Sequence, residues 1–258
     1  MTPRTGYVIC GEARSGSTFL RYLLKSTGKL GDPWEFFADP GVVERMRREP
    51  AFFAERLQQA SSDNGIYGLK VFTPHFDNAV RMRWVERLPE PHFIHLRRYD
   101  LLAQAISLVR AQQSGQYKST VKAGGETRYD GRMIADRLTR IAHGQARWEC
   151  YFARNGIRPL RLVYEDIIAD PQGAIDAIAG LVSLSDVPTD LSQVELVRQT
   201  DSVSDDWTRR FVAEMGDLSY LDGGLAFSNR RGGGAAARMV LGPRRRGRAS
   251  VAGAASKP

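Results

Sequence analysis

Gly11-Glu12-Ala13-Arg14-Ser15-Gly16-Ser17-Thr18 follows the β-rich run Tyr7-Val8-Ile9-Cys10 and precedes the apolar-periodic segment Phe19 to Thr27, which Gly28 closes. Strand, glycine-punctuated loop and helix in that order predict the opening unit of an α/β sheet. The loop has the spacing of a phosphate-binding motif, G-x-x-x-x-G-[KST]-[ST], with Ser17 where the lysine of a nucleoside triphosphatase stands. That lysine reaches the β- and γ-phosphates, so its loss argues against ATP or GTP hydrolysis and leaves a smaller anion as the ligand. Backbone N–H groups at a helix start, the hydroxyls of Ser17 and Thr18 and the charge of Arg14 suit such an anion. The residues alone leave a second reading open, in which Ser15, Ser17 and Thr18 only start and cap a helix.

Working outward, residues 68–72, 92–97 and 160–164 are further short apolar runs, each followed by a segment of helical character. Helices are expected over 76–88, 100–113, 131–154 and 171–184. Strands alternating with helices predict a central parallel sheet flanked by helices, a P-loop-like α/β fold. Residues 114–129 are polar and glycine-bearing and read as a mobile loop, and 39–64 reads as a variable loop region.

After the run 92–97, Arg98 is followed by Asp100, a helix cap, and by the apolar stripe Leu101, Leu102, Ala105, Leu108 and Val109. Gln104 and Ser107 fall on another face, three residues apart and so neighbours on a helix. An arginine fork with a serine hydroxyl is a second anion site at a strand's carboxyl end. The bland alternative is a solvated arginine and an ordinary helix serine.

The formal charge of +8 belongs to the end of the chain. Residues 229–258 hold eight Arg or Lys and no acid, leaving 29 basic against 29 acidic residues in 1–228. A formally neutral body argues against a nucleic-acid-binding protein, although Arg230, Arg231, Arg238 and the arginines of 244–248 raise that reading. The Gly- and Ala-rich composition of 229–258 predicts a disordered tail behind a main domain spanning 1–228. Two cysteines, Cys10 and Cys150, form neither a metal spacing nor a disulfide framework, which fits a reducing, cytoplasmic setting. No run approaches the roughly 20 apolar residues of a transmembrane helix, and no metal site is expected.

Four blocks, Gly11 to Leu20, Asp32-Pro33-Trp34-Glu35-Phe36-Phe37, Arg98 to Ser107 and Arg198 to Trp207, together resemble the sulfotransferase superfamily, specifically its bacterial carbohydrate sulfotransferases. The resemblance implies a sulfuryl donor, 3'-phosphoadenosine 5'-phosphosulfate (PAPS), held at its 5' end by Arg14, Ser15, Gly16, Ser17 and Thr18. It places the 3'-phosphate on Arg98 and Ser107, and it nominates Glu35 as catalytic base toward a carbohydrate or glycolipid hydroxyl, trehalose among the candidates. A homodimer is compatible with it. Pro33, Trp34, Phe36 and Phe37 are expected to hold Glu35 in a partly desolvated place and raise its basicity. Lys70 is a candidate to stabilise the leaving phosphate or transferred sulfuryl, and His75 is a reserve base, whereas His95 and His143 read as structural. Trp34 is the better-placed sugar platform; Trp207 is either an aromatic platform or packing. The roles of Tyr164 and Glu165 stay open. The rival enzyme class, a P-loop kinase or nucleotidase, would need the missing lysine or an acidic magnesium ligand.

Overall fold

A computed structural model describes residues 2–115, 124–194 and 202–218. Its centre is β1 (Thr5–Gly11), whose residues from Gly6 to Gly11 are all buried. β3 (Ile66–Phe72) lies on one side of it and β4 (Pro91–Arg97) on the other, with β2 (Trp34–Glu35) and β5 (Leu160–Val163) at the edges. Every pairing is parallel, in the order β2-β3-β1-β4-β5. Strands buried on both faces read as continuous apolar runs rather than alternating ones, as Tyr7 to Cys10 does.

The helices α1 (Ser17–Ser26), α2 (Pro40–Arg48), α3 (Pro50–Gln59), α4 (Thr73–Arg81), α5 (Leu101–Ser114), α6 (Gly131–Arg154), α7 (Tyr164–Ala169), α8 (Pro171–Leu181) and α9 (Ser202–Met215) cover the sheet. Val8 and Cys10 point to a layer with Leu69, Val71, Phe36, Phe37, Trp148 and Phe152. Tyr7 and Ile9 point the other way, among α1 and α8 residues that include Leu20, Leu23, Ile175 and Ile178. Each fully buried Leu, Ile or Phe contributes about 1.5–3 kcal/mol by leaving water, so the two layers fix β1 in place. A third cluster joins α5, α6 and α9 through Ala105, Val109, Ile141 and Trp207.

β1 is where strand order reverses, with β3 on one side and β4 on the other. In open parallel sheets ligands bind beyond the carboxyl ends of strands at such a switch point. The loop after β1 and Arg98 after β4 are therefore neighbours by topology.

Several element boundaries differ from the sequence expectation. Residues 39–64 carry two helices, α2 and α3, because Asp39 accepts from Gly41 N and Val42 N and because Pro40 and Pro50 each stand at a helix start. The helix expected over 76–88 begins earlier, at Thr73-Pro74, and stops at Arg81. Arg83 is left-handed, φ 51°, and a separate 3-10 turn runs Trp84–Arg87. β5 ends at Val163, and Tyr164 opens α7 rather than closing a strand. The tail 229–258 and residues 116–123 of the expected loop lie outside the described residues. Among the described residues, no helix is long and apolar enough to cross a membrane.

Candidate active site

The loop 11–18 is braced from two helices. The Gln104 amide, fully buried on α5, donates to Ala13 O at 2.8 Å, and the Trp148 indole on α6 donates to Gly11 O at 3.2 Å. Arg14 and Gly16 both adopt left-handed backbone, φ 63° and 87°. A non-glycine residue held there costs of order 1–3 kcal/mol, and such residues persist where the surroundings over-determine them, often at ligand sites. Gly16 caps α1 without any side-chain hydrogen bond. The first-turn N–H groups of α1 thus lack a side-chain cap, and the helix dipole favours an anion there. Between the two left-handed residues, Ser15 is 1% exposed and its Oγ has no hydrogen-bond partner among the described residues. A buried hydroxyl in that position is a fit for an anionic oxygen.

Arg14 leaves the loop toward β4. Its Nε donates to Ser107 Oγ at 2.9 Å. Burial, and then the neighbouring Arg98 guanidinium, push its pKa down, while Tyr164 opposes them. Two cations brought together in a half-buried place are chemically suited to an anion of more than one charge. Arg98 Nε lies 3.3 Å from Glu165 Oε1, and its guanidinium lies 4.8 Å over the Tyr164 ring. Asp100 caps α5 through Ala103 N at 2.8 Å, so Ser107 sits at a fixed height above Arg98's strand.

On the other flank of β1, Glu35 and Lys70 are register partners across β2 and β3, with Lys70 Nζ 3.5 Å from Glu35 Oε1. The lysine side chain is 5% exposed and the glutamate 45%. The apolar pocket expected around Glu35 is not there: Phe36 and Phe37 turn into the core, and Trp34 is itself exposed. The strand ends at Glu35, and the turn that follows at Phe36-Phe37 carries both rings inward. Trp34 carries the Arg21 guanidinium 4.0 Å over one ring face, and Asp32 fixes that guanidinium by two hydrogen bonds at 2.5 and 2.9 Å. His75 is half-buried at the start of α4; burial lowers its pKa and Glu35 raises it. Trp207 lies inside the α5–α6–α9 cluster, 4% exposed and edge-on to Tyr129 at 5.8 Å, so its faces serve packing rather than a ligand. No group of His, Cys, Asp or Glu among the described residues is arranged to hold a metal ion. Cys10 and Cys150 are free thiols.

One family model, Stf0 sulphotransferase, matches the chain over residues 6–64 and 46–214. The chain belongs to the Stf0 sulphotransferase family. This sulfotransferase is 25% identical over 262 residues to a trehalose 2-sulfotransferase of Mycobacterium tuberculosis, covering 81% of this chain and 94% of that protein. The trehalose 2-sulfotransferase of Mycolicibacterium smegmatis is 23% identical over 255 residues, with 80% and 94% covered. Among solved structures, a sulfotransferase from Alicyclobacillus acidocaldarius aligns at a TM-score of 0.46 and 17% identity, over 84% of this chain and 98% of that one. The fold is the P-loop-like one of a sulfotransferase, a parallel five-stranded sheet flanked by helices.

Three residues of the site carried no assigned role in the sequence reading. Tyr164 packs so tightly on Gly16 that a Cβ there would lie 2.1 Å from its ring. Glu165 holds Arg98 through Oε1 and Tyr99 N through Oε2, at 3.3 and 3.0 Å. Glu12, inside the loop itself, is 7% exposed. Tyr164 and Glu165 follow the last β-rich run directly, and their position at a strand's carboxyl end was the available signal.

Proposed function

We propose that this sulfotransferase moves the sulfuryl group of PAPS to a hydroxyl of a carbohydrate or glycolipid acceptor by in-line displacement, with Glu35 as general base. The observation that carries the reading is the hydrogen bond from Arg14 in the loop to Ser107 on α5, which makes the two anion sites one continuous surface. A nucleotide with a 5'-phosphosulfate and a 3'-phosphate has anions at both ends; ordinary adenine nucleotides lack the second. Arg14, Ser15, Gly16, Ser17 and Thr18 take the 5' end, and Arg98 with Ser107 the 3'-phosphate.

PAPS supplies an activated sulfuryl group. In the transfer, the acceptor oxygen bonds to sulfur as the bond from sulfur to the bridging phosphate oxygen breaks. Glu35 takes the acceptor proton, and adenosine 3',5'-bisphosphate leaves. Charge spread over the equatorial oxygens makes positioning and electrostatics the main contributions, by analogy with phosphoryl transfer. Lys70, buried beside Glu35, is a cation for the charge that develops on the bridging oxygen, and Arg14 serves the same end from the loop. Trp34, one face backed by Arg21, offers the other to a sugar ring. The relatives' trehalose makes a disaccharide the first acceptor to try.

The test is transfer of labelled sulfate from PAPS across a panel of disaccharides and glycolipids, with thermal shift by adenosine 3',5'-bisphosphate run beside it. Stabilisation by the bisphosphate and a labelled sugar product are expected. Stabilisation by ATP with magnesium but not by the bisphosphate would sink the reading in favour of a phosphoryl-transfer enzyme.

A further inference from the structure

Glu12 is the acid inside a loop that has to hold an anion. Its side chain is folded inward, 7% exposed, between the start of α4 and the middle of α6. There it accepts from the backbone N–H of Thr73, while Oε1 has no hydrogen-bond partner among the described residues. The space it fills exists because residue 144 on α6 is glycine: a Cβ at Gly144 would lie 2.1 Å from Glu12 Oε1. The charged group facing it from α6 is Arg147, whose ion pair is with Asp77 of α4 at 3.5 Å. On the loop, Arg14 stands two residues on and turns to Ser107.

A carboxylate taken out of water with one backbone N–H and an arginine that is already paired with another acid is strongly disfavoured, and such a group keeps its proton instead. We propose that Glu12 is a positioning residue that stays in the donor loop as a neutral carboxylic acid, so that the loop adds no negative charge of its own where it holds an anion and nucleotide binding is tied to retention of the Glu12 proton. The proposal rests on the donor reading above. Burial pushes the Glu12 pKa from its ordinary 4.5 up to about 8, against the smaller opposing pulls of Arg147 and the Thr73 N–H. At neutral pH the loop therefore carries a net positive charge. Above that range the buried acid would put a negative charge inside the loop that holds the phosphosulfate, and like charges repel strongly where water is excluded. A bound dianion in turn raises the cost of deprotonation, which is the same linkage seen from the other side.

The experiment is calorimetric titration of adenosine 3',5'-bisphosphate into the full chain and into Glu12→Gln, from pH 6.5 to 9.5, with melting temperatures of both apo proteins from pH 4.5 to 9. Glutamine has the acid's shape and no proton to lose. Wild-type affinity should fall about tenfold between pH 7 and pH 9, as one proton's linkage requires, whereas the variant's should stay level. Without nucleotide, a raised native pKa stabilises the fold fully below the unfolded value. The wild-type melting temperature should therefore decline relative to the variant's between pH 4.5 and about 8, then run parallel. Equal pH slopes for the two proteins in binding, or in melting, would overturn the inference and leave the donor reading standing. No binding of the bisphosphate to wild type at any pH would overturn the donor reading, and the linkage with it, even if the melting curves diverge.

Discussion

Arg14 and Ser107, 93 residues apart in the chain, are joined by a 2.9 Å hydrogen bond from the guanidinium Nε to the serine Oγ. The bond directs the Arg14 side chain from the loop toward α5. On the proposed donor reading, it would couple recognition of the 5' and 3' halves of PAPS. Ser107→Ala should weaken adenosine 3',5'-bisphosphate and also adenosine 5'-phosphosulfate, which lacks the 3'-phosphate. Arg98→Ala should weaken the bisphosphate selectively. A double-mutant cycle of Arg14→Ala with Ser107→Ala, read by calorimetry, should give a coupling of about 0.5–1.5 kcal/mol, the usual net contribution of one hydrogen bond. Additive losses would show that the bond does not couple the two sites.

Gly16 stands at φ 87°, where L-residues are strained, and its missing Cβ is filled by the Tyr164 ring. Gly16→Ala therefore meets two obstacles at once, backbone strain of about 1–3 kcal/mol and a ring with nowhere to go. The loop must open or α7 must shift, and either moves the α1 N-terminus from the donor. Loss of bisphosphate binding beyond detection is expected, with a lower melting temperature. Tyr164→Ala in the same background should return part of the stability, since it removes the clash but not the strain.

His95 is fully buried on β4 with Nδ1 3.0 Å from Glu149 Oε1, and Glu149 also takes Arg161 at 2.8 Å. Burial is the largest influence on the histidine and holds its pKa below the ordinary 6.5, opposed by Glu149 and aided by Arg97 and Arg161. A histidine harder to protonate in the fold than in the open chain stabilises fully above pH 6.5 and stops doing so as pH falls through its depressed native value. The melting temperature should accordingly drop on acidification below pH 6.5, before the carboxylates titrate. His95→Gln should flatten that part of the curve. An unchanged acid limb would assign the loss to other groups.

The β1–loop–α1 unit was legible because apolar run, glycines and helical period all agree over a short, local span. Arg98 and Ser107 were legible for the same reason, one strand end and one capped helix. What joins them was not, because a contact between residues 14 and 107 is set by the order of β1 and β4 in the sheet. The Glu35 environment was misread because β2 is only two residues long and is defined by the β3 register, and the turn after it sends Phe36 and Phe37 inward while Trp34 and Glu35 stay exposed. Residues 40–59 were missed as helices because their exposed faces are rich in Arg and Glu, although Pro40 and Pro50 each stand at a helix start, where proline is favoured.

That exposed setting sharpens the expectation for Glu35. A carboxylate 45% open to solvent, with a buried lysine 3.5 Å away, is accessible to an acceptor hydroxyl and tethered toward the loop. Glu35→Gln keeps the side chain's size and its contact with Lys70 while removing the proton acceptor. Turnover should fall by about a hundredfold or more, the usual consequence of losing a general base, with bisphosphate affinity unchanged. Lys70→Met should lower turnover as well, but it uncovers a second effect: with the buried cation gone, Glu35 loses its tether, so the acceptor KM should rise too. Sulfate-transfer kinetics separate these outcomes. A Glu35→Gln enzyme with wild-type kcat would move the base to His75, whose half-buried ring at the α4 start is within the electrostatic reach of Glu35.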